Sequence, residues 1–532
     1  MPPTAISSAS YTHYLVDALP SSRLSSHSLI YPILVFRPRP PYRSEHRASS
    51  SIPCFLRVDT FCQVEAPKTT AFDAHFLVST RYQKVDFAVD ASAMFWNAVV
   101  ATSLLCFGVF AARDYTGYKL VRFPATKSDR EWLAQMEHEM TEGKDSDELL
   151  IDVLAEPRKD RPSVDVLVAP KILKDFEFAL KTNGIDRYEI LDGNMQKQID
   201  REKREMHFHH SRRKRSLESD DADDFDINVY HKYHEMVDYM KKMAKQYPAF
   251  VGLLNITKTY EGRDLMGVKI GKRGYFKPAI FIDAGIHARE WIAPAVALYL
   301  MKKLTTEYSI DPEITRMVDR FDWYIVPLAN PDGYVYSQES DRMWRKTRSR
   351  NVTTNKWCVG VDANRNWGYR WGEAGAHTSP CSNIYAGAKP FSEREISGMR
   401  DFITWQIPDL KMYASLHSFG QVFLSPWGYT VARPDNYNDQ TTAAKLAVAA
   451  IKNATGAHYD FGTISNVLYP ASGTSIDYMQ HRGVPYIYGI ELRPEDVEGN
   501  YAFAPPARFI EPTSKDMLAA FKRMVDYIET RQ

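Results

Sequence analysis

The chain is 532 residues long, with 67 Lys+Arg against 66 Asp+Glu and a formal net charge of +1. That balance excludes the overall basic excess of a protein that chiefly grips nucleic acid or anionic membrane, so any substrate must be recognised locally. Apolar residues at 44% and charged residues at 25% are ordinary globular usage, which excludes a disordered, collagen-like or multi-span membrane chain, and the length leaves room for a large domain plus a smaller one.

Residues 1–93 are rich in Ser, Pro and Arg without a sustained period and read as a disordered or non-native extension. An uncharged apolar stretch lies between Asp90 and Arg113. It is long enough to cross a bilayer, which would make a membrane-tethered ectoenzyme. Started at Met94, however, it has the apolar centre and the small residue, Ala111, of a signal peptide over 94–111, and secretion is the expectation. Cys54, Cys62 and Cys106 fall in these segments, leaving Cys358 and Cys381. In an oxidising compartment these two would form one disulfide, a staple of about 2–4 kcal/mol; two buried thiols are the alternative.

The next segment alternates regularly. Tyr118–Phe123, Glu148–Leu154, Ser163–Val168 and Arg187–Leu191 read as strands, with helices over Asp129–Met140 and Lys171–Thr182. This β-α-β-β-α-β order predicts a small ferredoxin-like α+β module. A charged helical segment, Met195–Glu205, is followed by the tetrabasic run Arg212–Arg215 and an acidic stretch to Asp226. Such a charge run reads as a solvated linker, which a processing protease can reach and cut after Arg215. The chain therefore reads as a secreted zymogen, with an activation propeptide over 112–215, an acidic linker over 216–227 and a catalytic domain over 228–532.

In the last region apolar strands alternate with helical patterns, as at Pro278–Ile286, Trp291–Tyr308, Leu410–Leu416 and Tyr486–Leu492, predicting an α/β sheet covered by helices. Active residues in such sheets gather beyond the carboxyl ends of strands, and three of those ends carry His or Glu. His287 and Glu290 have a spacing that lets an imidazole nitrogen and a carboxylate oxygen bind one Zn²⁺, although the bare pattern also arises by chance. His417 would complete a His₂Glu set, against the plainer reading of a structural histidine. Glu491 ends an apolar strand. Burial there would raise its pKa into the general-base range, and a salt bridge to Arg493 is the plain alternative.

Several motifs occur together and in order: Tyr260-Glu-Gly-Arg263, Gly285-Ile-His287-Ala-Arg289-Glu290-Trp291, Asn330-Pro-Asp-Gly333, Trp344-Arg345-Lys-Thr-Arg348, Val361-Asp-Ala-Asn364-Arg365-Asn-Trp367, Ser415-Leu-His417-Ser418, Tyr469-Pro-Ala-Ser-Gly-Thr-Ser-Ile476-Asp477 and Glu491-Leu-Arg493. In this the chain resembles the zinc metallocarboxypeptidases of the pancreatic carboxypeptidase A and B type. The resemblance implies a mixed β-sheet flanked by helices, preceded by the propeptide module. It implies one Zn²⁺ held by His287, Glu290 and His417, with a fourth position left for water, and Glu491 as the base that later returns its proton to the leaving amine. Arg345 is then the oxyanion cation with Arg289 as a supporting charge, and Asn364, Arg365 and Tyr469 clamp the substrate's terminal carboxylate.

Ile476 would face the substrate's terminal side chain, a position where an acid accompanies a taste for Lys and Arg. The matching pocket residues Leu424, Ile464, Leu468 and Ala471 are apolar as well, so removal of aromatic or aliphatic C-terminal residues is expected. Cys358 and Cys381 fall where the family has a disulfide. The implied partners are peptide or protein C-termini and an activating protease, with no nucleic acid, and the mature form is expected to be a soluble monomer. Departures are Pro494 after Glu491-Leu-Arg493, Tyr501-Ala-Phe503 beyond it, and Phe419 where a Tyr is common. A catalytically silent binding protein is the other class; the presence of both Glu491 and Arg345 argues against it.

Overall fold

The computed structural model describes residues 112–531 apart from 127–128, 130–131, 134, 137–148, 159–160, 192–193, 217–220, 273–276, 351–357 and 495–500. The expected extension, the signal peptide and much of the first predicted helix therefore lie outside the described residues. The module that follows has strands β1 (Lys119–Pro124), β2 (Ile151–Ala155), β3 (Ser163–Val168) and β4 (Glu189–Ile190) in the all-antiparallel order β2-β3-β1-β4. Its helix Leu173–Thr182 buries Phe176 and Leu180 against Val121, Phe123, Val164 and Val166. The predicted ferredoxin-like order is thus present, with the third strand as expected and the ends of the other three shifted by one to three residues.

The charged helix is longer than its composition suggests, running from Met195 through the tetrabasic run to Ser216. Met195, Ile199 and Glu202 are buried, so tertiary contact at its start anchors a segment with no continuous apolar stripe. Part of the segment read as an acidic linker packs on the large domain. Ala222 and Phe225 are buried, Phe225 stacks on Tyr239 at 4.0 Å, and Lys302 Nζ donates to the carbonyls of Asp223 and Phe225.

The large domain is a mixed eight-stranded sheet. Its strands are β5 (Val251–Lys258), β6 (Asp264–Ile270), β7 (Ala279–Ala284), β8 (Asp322–Val326), β9 (Leu410–Ser418), β10 (Val422–Ser425), β11 (Asp460–Thr463) and β12 (Tyr486–Leu492), in the order β11-β10-β12-β9-β7-β8-β6-β5. The central β12, β9, β7 and β8 run parallel and are almost continuously apolar, as strands covered on both faces must be. Ile280, Ile282 and Ala284 pack against helices Ile292–Thr306 and Ile510–Glu529, while Phe281 points to the opposite layer with Ile396 and Met399 of helix Arg394–Gln406. Cys358 and Cys381 are joined by a disulfide.

Arg493, just past the end of β12, is bound by Asp516 of the last helix, Nε to Oδ2 at 2.6 Å and Nη2 to Oδ1 at 3.2 Å, and the same carboxylate accepts from Thr455 Oγ1 at 2.5 Å. The plain alternative of an Arg493–Glu491 bridge is overturned, because a fully buried partner already holds the guanidinium. Asp516→Ala should lower stability by about 3–5 kcal/mol, since it removes one partner of a buried ion pair. Urea unfolding measures this, and pairing Asp516→Leu with Arg493→Met should recover most of the loss.

Candidate active site

The sheet order brings the three informative strand ends side by side. β12 lies beside β9, and β9 beside β7. Glu491 is directly opposite His417 in the parallel register, so the two side chains share a face one strand spacing apart. From the end of β7 the chain turns at Gly285, where φ is +63° and a Cβ would come within 2.8 Å of Leu328 and 2.9 Å of Pro294. Only glycine fits there, and the turn delivers His287 and Glu290 to the start of helix Ile292–Thr306.

His287 Nδ1 lies 2.7 Å from Glu290 Oε1, His417 Nδ1 lies 3.2 Å from Glu290 Oε2, and the two Nδ1 atoms are 3.2 Å apart. The outer nitrogens are engaged elsewhere: His287 Nε2 with Asp362 Oδ1 at 3.2 Å and His417 Nε2 with Ser415 Oγ at 3.1 Å. With Nε2 as the donor on each ring, both Nδ1 atoms turn lone pairs toward one another and toward a carboxylate. Buried lone pairs in that arrangement are satisfied by a cation, and two imidazoles with one carboxylate are the donor set of a catalytic zinc site. Among the described residues, His287, Glu290 and His417 are the group of potential ligands close enough to hold one metal ion.

Every residue assigned to the site from sequence lines one cleft: His287, Arg289, Glu290, Arg345, Asn364, Arg365, His417, Tyr469, Ile476 and Glu491. Arg345 is fixed by Asp362 Oδ2, from Nη2 at 2.9 Å and Nε at 3.2 Å, with Nη1 4.0 Å from Glu290. Although burial opposes ionisation, Arg345, His287 and Arg365 together hold the Asp362 carboxyl well below its ordinary value. Burial pushes Glu491 up to about 7, and Glu290 adds to the rise against the opposing pull of His417, Arg345 and Arg158. Arg365 donates from Nε to Gly375 O at 2.7 Å and from Nη1 to Asn364 O at 2.9 Å, and Asn364 Oδ1 accepts from Ser475 N at 3.0 Å. Leu424, Ile464, Leu468 and Ala471 join Ile476 at the apolar end.

Other contributors escape a linear reading. Gly489 of β12 also lines the apolar end; a Cβ there would sit 3.6 Å from Ile476 and 3.9 Å from Leu424, so its absence leaves space. Asp362 sits inside a motif quoted above, but two of its partners, His287 and Arg345, come from 75 and 17 residues away. Asp152 at the start of β2 accepts from Arg289 Nη1 at 2.5 Å and from Asn383 Nδ2 at 2.8 Å. Arg158 donates to the carbonyl of Gly420, and with Glu156 it lines the same cleft. Glu202 of the long charged helix forms a second buried pair with Arg342, whose Nη2 lies 3.0 Å from Glu202 Oε1. Nothing local in the sequence marks these acids as partners of distant arginines. Phe419 packs edge-on against Phe503 at 5.2 Å, and Arg289 lies over the Phe503 ring at 4.1 Å. Glu495 and Asp496, the nearest acids on the altered segment, lie outside the described residues.

Residues 236–520 match the zinc carboxypeptidase family, and residues 124–202 match the carboxypeptidase activation peptide. Carboxypeptidase A2 of Mus musculus is 36% identical over 380 residues, 71% of this chain and 88% of that protein. Carboxypeptidase B of Astacus astacus is 40% identical over 292 residues, 55% of this chain and 94% of that protein. The crystal structure of the carboxypeptidase A from Helicoverpa armigera superimposes with a TM-score of 0.69 at 27% identity, covering 78% of this chain and 98% of that one. With a metal-ready His₂Glu cluster at the ends of β7 and β9 and an activation module packed over it, the chain belongs to the zinc carboxypeptidase family.

Proposed function

We propose that this zinc carboxypeptidase is a secreted proenzyme whose mature, monomeric form removes aromatic and aliphatic residues from peptide and protein C-termini. The observation that carries the specificity is the apolar end of the cleft. Ile476 is 1% exposed and is surrounded by Leu424, Ile464, Leu468 and Ala471. The carboxylates lining the cleft are Glu290 and Glu491, together with Asp152 and Glu156 of the propeptide. A terminal Lys or Arg would bury its charge there without a partner.

Zinc bound by His287, Glu290 and His417 would polarise the scissile carbonyl and acidify a water. Glu491 takes a proton from the attacking water on its carboxylate and hands it to the leaving amine nitrogen, a role suited to a carboxyl raised to about 7. Arg345, held in orientation by Asp362, offers N–H donors to the oxygen that gains charge as the tetrahedral species forms. Arg365, Asn364 and Tyr469 fix the substrate's terminal carboxylate, which confines cleavage to the last residue. Arg289 serves the mature site as a supporting charge; in the uncleaved chain it is occupied by Asp152. The disulfide supports an oxidising destination. The amino-terminal residue of protein recovered outside cells separates secretion from a retained anchor.

Three outcomes test this reading. Glu491→Gln should keep its zinc but lose roughly 10²- to 10⁴-fold in kcat, as for loss of a general base, while His287→Ala should lose the metal, as measured by elemental analysis beside peptide turnover. Turnover at the parent rate by the zinc-loaded Gln variant would remove Glu491 from the role.

For specificity, matched peptides ending in Phe and Lys should differ in kcat/KM by at least about 100-fold, in proportion to the several kcal/mol for an unpaired buried ammonium. Ile476→Asp should narrow or invert that ratio. A parent enzyme that prefers Lys would point to an acid on the segment after Pro494.

For activation, Arg212→Ala combined with Arg215→Ala should leave an intact chain with little activity, and Asp152→Ala should raise the activity of the uncleaved chain by freeing Arg289. Full activity in the uncleaved parent would exclude the propeptide as an inhibitor.

A further inference from the structure

The two histidines of the metal cluster are supported differently. His287 meets a carboxylate directly, Asp362 Oδ1 at 3.2 Å, and that carboxylate is in turn tied to Arg345. His417 meets a hydroxyl, Ser415 Oγ at 3.1 Å, and the hydroxyl donates to Asp283 Oδ1 at 2.7 Å. Asp283 and Ser415 are cross-strand neighbours in the parallel register of β7 and β9. Both are completely buried, and the Tyr413 hydroxyl is a further polar neighbour of Asp283. A carboxylate kept in a dry sheet interior is a cost to the fold. No catalytic group named above uses it.

We propose that Asp283 and Ser415 form a positioning relay that fixes His417 with its proton on Nε2 and its lone pair on Nδ1, the form that binds zinc. A serine hydroxyl has one proton to give and lone pairs to receive with. Given to Asp283, that proton leaves Oγ able only to accept from the imidazole, so Nε2 must be the protonated nitrogen and Nδ1 must face Glu290. Outer partners of this kind set the tautomer and ring angle of a metal-bound histidine, and their loss commonly weakens metal binding about 10- to 100-fold. Ser415 thus gives His417 the service that Asp362 gives His287, at one remove. The relay rests on His417 being a zinc ligand.

The test uses the full chain and zinc as the probe. Zinc affinity is measured by competition with a chelator of known strength, and the tautomer of His417 by ¹⁵N NMR of the zinc-free, histidine-labelled protein. Ser415→Ala should bind zinc about 10- to 100-fold more weakly, and its His417 should lose the single protonated-Nε2 signature of the parent. Ser415→Thr, which keeps the hydroxyl, should restore both. Asp283→Asn should weaken zinc binding in the parent but add nothing in the Ser415→Ala background, because the two act as one unit. Thermal unfolding of the zinc-free variants separates these effects from a general loss of stability, which would not move the tautomer. Parent-like zinc affinity and tautomer in Ser415→Ala, or an undiminished effect of Asp283→Asn in that background, would overturn the relay. Retention of zinc by His417→Ala would instead overturn the ligand assignment on which it rests.

Discussion

The cleft is organised around one buried carboxylate. Asp362 is wholly inaccessible, and it bonds His287, Arg345 and the backbone of Asn364 while lying 4.0 Å from Arg365. Remove it and His287, Arg345, Asn364 and Arg365 all lose their common reference. A single negative charge can do this because the interior is poorly screened, so each cation is drawn to the same point and held at a defined distance from the others. The strands supply the remainder: β12, β9 and β7 lie edge to edge, and their ends cannot move independently of a sheet packed on both faces.

The same electrostatics explain how the activation module sits. Arg289 and Arg342 are nearly inaccessible cations, and each is matched by an acid from the small module, Asp152 and Glu202. Breaking either pair would leave a buried charge on both sides, which is why such contacts fix orientation more than they add net stability. Two of the points that specify the module are therefore charge pairs, one on β2 and one on the helix that begins at Met195, beside the Arg158–Gly420 contact and the buried Tyr115–Asp341 hydrogen bond.

Much of this was legible in the sequence wherever the information was local. Strand ends, the His287–Glu290 pair, the ordered motifs and the apolar residues around Ile476 can all be read because neighbouring residues carry the signal. The βαββαβ order of the small module was equally visible, since the period changes on schedule. What escaped was long-range matching. Asp516 takes Arg493 away from Glu491, Asp152 takes Arg289, and Gly489 matters for the side chain it lacks. The helix to Ser216 was missed for a related reason: its composition is polar all round, and the contacts that start it belong to another part of the chain.

The buried charge pairs of the propeptide bear on what a cut can accomplish. Neither the Asp152–Arg289 pair nor the Glu202–Arg342 pair includes the tetrabasic run, so a break after Arg215 leaves both intact and removes only the covalent tether. Before the cut, the module is held over the cleft at a fixed effective concentration; afterwards that restraint becomes an ordinary bimolecular equilibrium. On the activation proposed above, the severed segment would then act as a dissociable inhibitor of the enzyme it came from, and how fast the cleft opened would depend on its escape and on dilution as well as on the protease.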